Sequence, residues 1–172
     1  MSLVKEILKC SELISEGQQA RIHVFTLNNK RYVLKFYRKF YNGSAQILKQ
    51  LSHPNIVKYH DVFFQDGQVC LVMDYVGSES LEKRQKLDEK HVRQLRSILQ
   101  CLKENHVIHR EINPDHLLFN QDNDLVLIDF GWASMNEHGI LDIDLKKINE
   151  HYSINDEKSV EMLIKQYGVK NE

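Results

Sequence analysis

The chain has 172 residues, with 23 Lys and Arg against 24 Asp and Glu, and a formal charge of -1 at neutral pH. A chain of this length with 42% hydrophobic and 27% charged residues has the composition of one globular domain, which argues against a disordered or fibrous protein. The near-zero charge supplies no general basic field, so we expect no nucleic acid partner.

The first half of the sequence is rich in strands. Runs of β-branched and aromatic residues predict four strands, at residues 21–26, 31–37, 56–64 and 69–76. The Asp66-Gly67 pair between the last two runs is typical of a tight hairpin turn. The helical spacing of Ile47, Leu48 and Leu51 predicts a short helix between the two strand pairs.

The second half of the sequence is mainly helical. Apolar stripes and end signals predict helices over residues 88–105, 143–150 and 155–168. Asn155 or Asp156 can cap the last helix, and Gly168 can end it. Two short apolar runs, residues 116–119 and 125–129, follow the first helix and predict a further strand pair.

The composition changes near Gly77-Ser78, where the strand-rich half ends. We expect a single domain over residues 1–172, with a strand-rich lobe at 1–76 and a helical lobe at 77–172. The predicted fold class is therefore α+β.

Three widely separated cysteines predict free thiols rather than disulfides. Cys10, Cys70 and Cys101 are odd in number and contain no Cys-x-x-Cys pair. The N-terminal residues lack the apolar core of a secretory signal, and the longest apolar runs are too short to span a membrane. We expect a cytoplasmic protein without a membrane span, and peripheral contact with a membrane stays open.

Four segments carry residue types that handle phosphate. A turn at residues 15–22 leads into the first strand pair, and the strand sequence YVLK ends at Lys35. The loop sequence HREINPDH begins at His109 after the long helix, and DFG begins at Asp129 after the last strand pair. In this order and spacing the segments resemble the motifs of the protein-kinase-like superfamily over roughly residues 12–134.

The resemblance implies a two-lobed protein-kinase-like fold, with a strand-rich N-lobe and a truncated helical C-lobe, and ATP and Mg²⁺ as cofactors. Lys35 is expected to contact the α- and β-phosphates, Asp129 to hold Mg²⁺, and Glu111 to act as the catalytic base. Further nucleotide-binding residues are expected at Gly17, Ala20, Ile22, Val33, Asp74 and Val76.

Several positions depart from the family pattern. Only Gly17 remains of the glycine-rich loop, and Ser44 stands where the family has the helix glutamate that pairs with the strand lysine. Glu111 replaces the usual aspartate, and Asn113 replaces a lysine common in protein kinases. His116 replaces the asparagine that binds a second Mg²⁺; it stays a candidate metal residue because the bacterial kinases of lipopolysaccharide core sugars look similar there.

These features lead to two main hypotheses. The first is an ATP-dependent phosphotransferase whose acceptor is a sugar, such as lipopolysaccharide, or another small-molecule hydroxyl, because the stretch after Gly131 is too short to dock a peptide in the usual way. A protein acceptor stays open. The second is a pseudokinase that acts as a nucleotide-binding or regulatory partner. A third is a small ATPase switch similar to the atypical kinases associated with tRNA modification.

Overall fold

The computed structural model describes residues 7, 10–17, 20–38, 43–135 and 155–169. The helix expected at residues 143–150 lies outside the described residues. The chain divides into two compact units, the first made of Met1–Ala45 and Lys58–Tyr75 and the second of Gln46–Val57 and Val76–Glu172.

Five antiparallel strands form the sheet of the first unit. They are β1 (Glu12–Glu16), β2 (Ala20–Leu27), β3 (Lys30–Tyr37), β4 (Tyr59–Gln65) and β5 (Gln68–Asp74), in the order β1-β2-β3-β5-β4 across the sheet. Asn28 and Asn29 form the turn between β2 and β3, both with positive φ. Asparagine tolerates this conformation better than most residues, and such a turn matches the twist of a hairpin.

The two faces of this sheet carry different side chains. Successive residues of a strand point to opposite faces, and directly opposite residues of paired strands share a face. Phe25, Leu34, Phe36 and Cys70 form a buried apolar cluster on one face. Lys35 therefore lies on the other face, because both of its neighbours in the strand belong to the cluster.

The first helix, α1 (Ser44–Gln50), begins directly after Gly43, which has a positive φ of 81°. Ile47 and Leu48 are buried, as their helical spacing predicts, and so is Ala45. Leu51, the third residue of the predicted stripe, lies just beyond the helix and is partly buried. The boundary between the two units falls within this helix, after Ala45.

Among the described residues, the second unit contains three more helices and two small sheets. The helices are α2 (Leu81–Arg84), α3 (Glu89–Glu104) and α4 (Asp156–Tyr167), with a turn of 3₁₀ helix at Pro114–His116. Strands β6 (Glu79–Ser80), β8 (Leu117–Phe119) and β9 (Leu125–Leu127) form one sheet in that order. Strand β7 (Val107–Ile108) pairs with β10 (Ser134–Met135).

Helix α3 is the longest helix among the described residues of the second unit, and its start is set by two reciprocal hydrogen bonds. The Asp88 carboxylate accepts from the backbone N–H of His91, and the His91 ring accepts from the backbone N–H of Asp88. Leu95, Ile98 and Leu102 are almost fully buried along one face of the helix. The helix predicted from Asp88 onward is confirmed.

The β8–β9 hairpin brings two loops together. Leu117 pairs with Leu127, so the residues before β8 and after β9 are neighbours. The backbone N–H of Ile128 donates to the carbonyl of His116 over 2.9 Å, which continues the ladder. The chain before β8 therefore meets the segment that begins at Asp129.

The structure confirms the α+β fold class and, within the described residues, the predicted strands and helices, with boundary shifts of a few residues. Strands β6, β7 and β10 have two residues each, too few for a periodic pattern. Strand β1 is exposed at every position, so it shows no alternation of burial either. No helix of the described residues is long and apolar enough to cross a membrane.

Candidate active site

Lys35 lies in the middle of the first sheet. In β3 it is directly opposite Ile22 of β2 and Leu71 of β5, and Val33 is two residues away on the same strand. These four side chains share one face. Lys35 is only 4% exposed. The strand register thus brings Lys35, Ile22 and Val33, three of the predicted nucleotide-binding residues, to one place.

Tyr37 lies beside Lys35 and contacts Ser44. The Lys35 Nζ is 5.2 Å from the centroid of the Tyr37 ring. The hydroxyl groups of Tyr37 and Ser44 form a hydrogen bond of 2.9 Å, and both residues are buried. Ser44, which stands at the position of the family's helix glutamate, therefore contacts a tyrosine next to the lysine.

The turn between β1 and β2 contains Gly17 and ends at Ala20. The backbone N–H of Gly17 donates to the carbonyl of Ala20 over 2.9 Å. Gly17 is exposed, and a Cβ placed on it would lie 3.8 Å from that carbonyl oxygen, an ordinary contact. The fold of the turn therefore does not itself require glycine at position 17.

The carboxylate of Asp74 lies on the face that carries the apolar cluster. Asp74 pairs with Tyr32, whose side chain is on the face opposite Lys35. The carboxylate lies 2.7 Å from Lys30 Nζ and 2.6 Å from His60 Nε2. Burial raises the pKa of Asp74, but hydrogen bonds from Lys30 and His60 outweigh burial and hold that pKa below its usual value.

Val76 is the second predicted nucleotide-binding residue near the end of β5. It belongs to the second unit and is partly buried. Gly77 follows it and lies against β8. A Cβ on Gly77 would be 2.4 Å from the carbonyl oxygen of Phe119, so only glycine fits there.

A buried carboxylate holds the loop that begins at His109. Asp156, in the first turn of α4, is 8% exposed and accepts hydrogen bonds from the backbone N–H of His109 at 2.7 Å and of Arg110 at 2.9 Å. Burial raises the pKa of Asp156, and the two hydrogen bonds and the Arg110 charge oppose that rise without cancelling it. Arg110 has a φ of 70°, a conformation that costs energy for a residue with a Cβ.

The Arg110 guanidinium is also buried. Its Nε and one Nη donate to the hydroxyl of Ser134 at 3.1 and 2.8 Å. Ser134 begins β10 and pairs with Ile108, directly before the loop. The short β7–β10 pair thus supplies the acceptor for the buried guanidinium.

The ring of His109 connects the loop to the end of β9. Its Nδ1 lies 3.3 Å from the backbone nitrogen of Glu111, and its Nε2 lies 3.1 Å from the carbonyl oxygen of Ile128. A backbone N–H can only donate, so we assign Nδ1 as the acceptor and the proton to Nε2. The ring also packs edge-on against Phe130, with centroids 4.6 Å apart. His109 therefore anchors the loop through its ring.

Glu111, His116 and Asp129 meet at the open end of the β8–β9 hairpin. His116 Nδ1 is 3.8 Å from a carboxylate oxygen of Glu111, and His116 Nε2 is 3.9 Å from a carboxylate oxygen of Asp129. Nδ1 also lies 3.0 Å from the main-chain oxygen of Glu111 and donates to it. The three side chains are only partly exposed, so the predicted base and the predicted metal ligand lie on either side of one imidazole.

Local hydrogen bonds orient this cluster. The Asn113 side chain accepts from the backbone N–H groups of Asp115 and His116, so it caps the 3₁₀ turn that carries His116. Asp129 has a φ of 58°, and its carboxylate accepts from the backbone N–H of Gly131 over 3.0 Å. A strained backbone at a residue other than glycine is a feature that clusters at functional sites.

The described residues contain no group of three or more His, Cys, Asp or Glu side chains arranged to hold a metal ion. Asp129 nevertheless supplies the hard carboxylate oxygen that Mg²⁺ prefers, and Mg²⁺ commonly completes its shell with water and substrate phosphates. The donors therefore fit a Mg²⁺ shared with a nucleotide. His116 fits less well, because imidazole is a softer donor and its Nδ1 is already hydrogen-bonded.

Three residues of these sites have roles that the sequence does not predict. Asp156 looks like a helix cap, but Asn155 caps α4 and leaves Asp156 to bind the loop. The sequence did contain a signal for this role: Asn155 and Asp156 can both accept hydrogen bonds at the start of α4, and one of them is enough to cap the helix. Tyr37 carries a weaker signal, two residues from Lys35 on the same strand. Ser134 carries none, because its partner is brought to it only by the β7–β10 pairing.

The chain has the features of a protein kinase fold: a strand-rich unit with a buried lysine is followed in sequence by a helical unit with the HRE loop and the DFG segment. The chain belongs to the protein kinase domain family, whose pattern matches residues 10–152. The resemblance to the protein-kinase-like superfamily is therefore confirmed. Members of this family use ATP and Mg²⁺.

Curated relatives agree with this assignment. The chain is 35% identical over 100 residues to an Aurora kinase of Encephalitozoon cuniculi, and the matched region covers 53% of this chain and 37% of the relative. It is 30% identical over 147 residues to Probable serine/threonine-protein kinase MARK-B of Dictyostelium discoideum, covering 74% of this chain and 21% of the relative. It is 29% identical over 137 residues to Serine/threonine-protein kinase cds1 of Schizosaccharomyces pombe, covering 72% of this chain and 30% of the relative. The chain thus spans well under half the length of each of these relatives.

Proposed function

We propose that this chain binds Mg-ATP and transfers the γ-phosphoryl group to a hydroxyl of a protein side chain. The cluster of Glu111, His116 and Asp129 carries the proposal, since it holds two carboxylates of different roles within 4 Å of one imidazole, at 3.8 and 3.9 Å. Phosphoryl transfer depends mainly on positioning and on neutralising charge, which such a cluster can supply.

Each side chain has a definite role in this proposal. Asp129 holds the Mg²⁺ that arrives with the nucleotide, and Glu111 accepts or orients the proton of the acceptor hydroxyl. Lys35 contacts the α- and β-phosphates. Ile22 and Val33, on the sheet face that carries Lys35, contact the adenine.

The remaining predicted residues contact the nucleotide through their main chain, except for His116, which is a candidate ligand of the metal. Gly17 and Ala20 offer backbone groups to the phosphates, which the exposure of Gly17 allows. Asp74 and Val76 offer main-chain groups to the adenine, because the Asp74 carboxylate is engaged by a lysine and a histidine. His116 is a candidate second ligand of the metal through Nε2.

Two arguments support a protein acceptor. MARK-B and cds1 are both named serine/threonine-protein kinases. The sequence argument for a sugar or another small hydroxyl depends on the short stretch after Gly131, and it loses its force because the chain spans only 21% to 37% of the relatives' length. Because the sequence also led us to expect a sugar acceptor, glycans are included in the test as the alternative acceptor.

One observation favours a second function, nucleotide binding without transfer. The imidazole of His116 lies against the Glu111 carboxylate, at a position where the family pattern has an asparagine. A Glu111 carboxylate held by an imidazole, with Asp129 as the single hard ligand for the metal, suits a pseudokinase that binds ATP without transferring phosphate.

Transfer from ATP labelled in the γ-phosphate, offered to Ser and Thr peptides and to dephosphorylated glycans, tests the reaction. Nucleotide binding is measured separately as the rise in melting temperature at millimolar Mg-ATP. The wild-type chain should label peptides, Asp129→Asn should transfer at least about a hundredfold more slowly, and Lys35→Met should lose the melting shift. Asp115→Asn, a matched change at an exposed aspartate of the same loop, should behave as wild type.

The outcomes separate the hypotheses. Label on glycans but not on peptides would overturn the protein acceptor. A melting shift without transfer to any acceptor would leave the second function in place of the first. Absence of a melting shift would overturn both functions. Unchanged transfer by Glu111→Gln would remove Glu111 from the role of base.

A further inference from the structure

Lys35 is a buried cation, and Ser44 stands where the family pattern has the helix glutamate. It is 4% exposed, and burying an ammonium group is costly unless other groups compensate its charge. The sequence contains no Asp or Glu between Glu16 and Asp61, a stretch that includes all of α1 and both of its flanks. The helix therefore cannot supply a carboxylate from any position to orient Lys35.

An aromatic ring stands next to the ammonium. Tyr37 is two residues after Lys35 in β3, so both side chains are on the same face of the sheet. The Nζ atom is 5.2 Å from the centroid of the Tyr37 ring, within the range in which a ring attracts a cation. Ala20 lies directly opposite Tyr37 in β2, and its single methyl group leaves space for the ring.

The ring is itself held in place. Tyr37 is 5% exposed, and its hydroxyl is 2.9 Å from the hydroxyl of Ser44, which is fully buried at the first position of α1. A ring anchored at its far end by a buried hydrogen bond has little freedom to turn away from the ammonium. The helix thus acts on the strand through a serine and a tyrosine.

We infer that Tyr37, anchored by Ser44, is the positioning residue that directs the Lys35 ammonium toward the phosphates of the nucleotide. It takes the place of the helix glutamate, and the inference rests on the proposed binding of Mg-ATP. The Tyr37 ring is neutral, so its contact with the ammonium does not cancel the charge that Lys35 offers to the phosphates. Tyr37 acts on the nucleotide through Lys35.

Comparing the affinities for Mg-ATP and for adenosine tests this role, because Lys35 meets only the phosphates. Tyr37→Leu removes the ring and should weaken Mg-ATP binding about tenfold while leaving adenosine binding unchanged. Tyr37→Phe keeps the ring but loses the bond to Ser44, and should weaken Mg-ATP binding about threefold, as should Ser44→Ala. Tyr32→Leu, the same change on the same strand but on the opposite face, should bind both ligands as wild type does.

A spectroscopic measurement checks the contact without any nucleotide. The ε-methylene protons of Lys35 should resonate upfield of the other lysines in the wild-type chain and in Tyr37→Phe, because the ring current of Tyr37 reaches them. The upfield shift should vanish in Tyr37→Leu and persist in Tyr32→Leu. A Lys35→Met variant identifies the signal.

Each outcome decides the inference. A loss of Mg-ATP affinity confined to the variants of Tyr37 and Ser44, with adenosine binding intact, supports it. Equal affinity of Tyr37→Leu and wild type for Mg-ATP would overturn the positioning role alone, as would a parallel loss of ATP and adenosine or an ordinary Lys35 resonance in the wild type. If the wild-type chain binds neither ligand, the proposed function fails and the positioning role fails with it.

Discussion

Replacing Asp156 should release the loop that contains Glu111. Asp156→Ala leaves the buried N–H groups of His109 and Arg110 without the acceptors that now lie at 2.7 and 2.9 Å. Each buried donor without a partner costs about 1–3 kcal/mol, so we expect the free energy of unfolding to fall by about 3 kcal/mol. For a chain of this length, that loss corresponds to a drop in melting temperature of roughly 6–12 °C.

Urea unfolding followed by the fluorescence of Trp132, the only tryptophan of the sequence, measures this loss in the second unit. Hydrogen exchange of the His109 and Arg110 amides reports on the anchor directly, and both amides should lose protection in Asp156→Ala. Glu157→Ala, a change at the next residue, removes an exposed carboxylate and should alter the unfolding free energy by less than about 1 kcal/mol. Equal stability of the two variants, or retained protection of both amides, would refute the reasoning.

The same carboxyl predicts a dependence on pH. Burial raises the pKa of Asp156, so the folded chain binds this proton more tightly than the unfolded chain does. The stability that the group contributes is therefore fully present below the ordinary Asp pKa of about 3.9 and is lost as the pH rises through the raised value. The stability of the wild type relative to Asp156→Asn should decrease from about pH 4 upward, and an increase would contradict the assignment.

Three further predictions concern other groups of the chain. Ser134→Ala removes the acceptor of a buried guanidinium and should lower the unfolding free energy by about 2 kcal/mol in thermal unfolding, whereas Ser134→Thr keeps the hydroxyl and should cost less. The pKa of Asp74 is lowered, so the wild type should lose its stability advantage over Asp74→Asn, at most about 1 kcal/mol, as the pH falls below about 4 in urea titrations. Burial raises the pKa of the Cys70 thiol to about 12 and also raises the pKa of the buried Cys101. A thiol reagent at mildly alkaline pH should therefore modify only the exposed Cys10 before unfolding, and a fast second thiol would contradict this.

Local signals were sufficient to predict most of the secondary structure. The helix from Asp88 onward follows from a capping residue and a stripe of apolar side chains, both of which act within a few turns. The hairpin at Asp66 follows from turn chemistry, because Asp and Gly tolerate positive φ there. The edge strand β1 escaped prediction because every one of its residues is exposed, so pairing with β2 alone makes it a strand.

The sequence was sufficient to predict which residues belong to the candidate site, but not which groups they contact. Lys35, Glu111, His116 and Asp129 stand in the order of the family's motifs, and order is a property of the sequence. The place of His116 between two carboxylates was not predictable, because it depends on the pairing of β8 with β9. The engagement of the Asp74 side chain by Lys30 and His60 likewise depends on which face of the sheet it occupies.

The sequence by itself determined the family, the α+β class and the residue types available for chemistry, because these depend on composition, periodicity and motif order. It also determined that no acidic residue between Glu16 and Asp61 could pair with Lys35. Only the tertiary structure decided that the Tyr37 ring lies beside Lys35, and what holds the loop at His109. Tyr37 with Ser44, and Asp156, are brought to their partners by strand register and helix placement, which are set by the burial of apolar side chains across the whole fold.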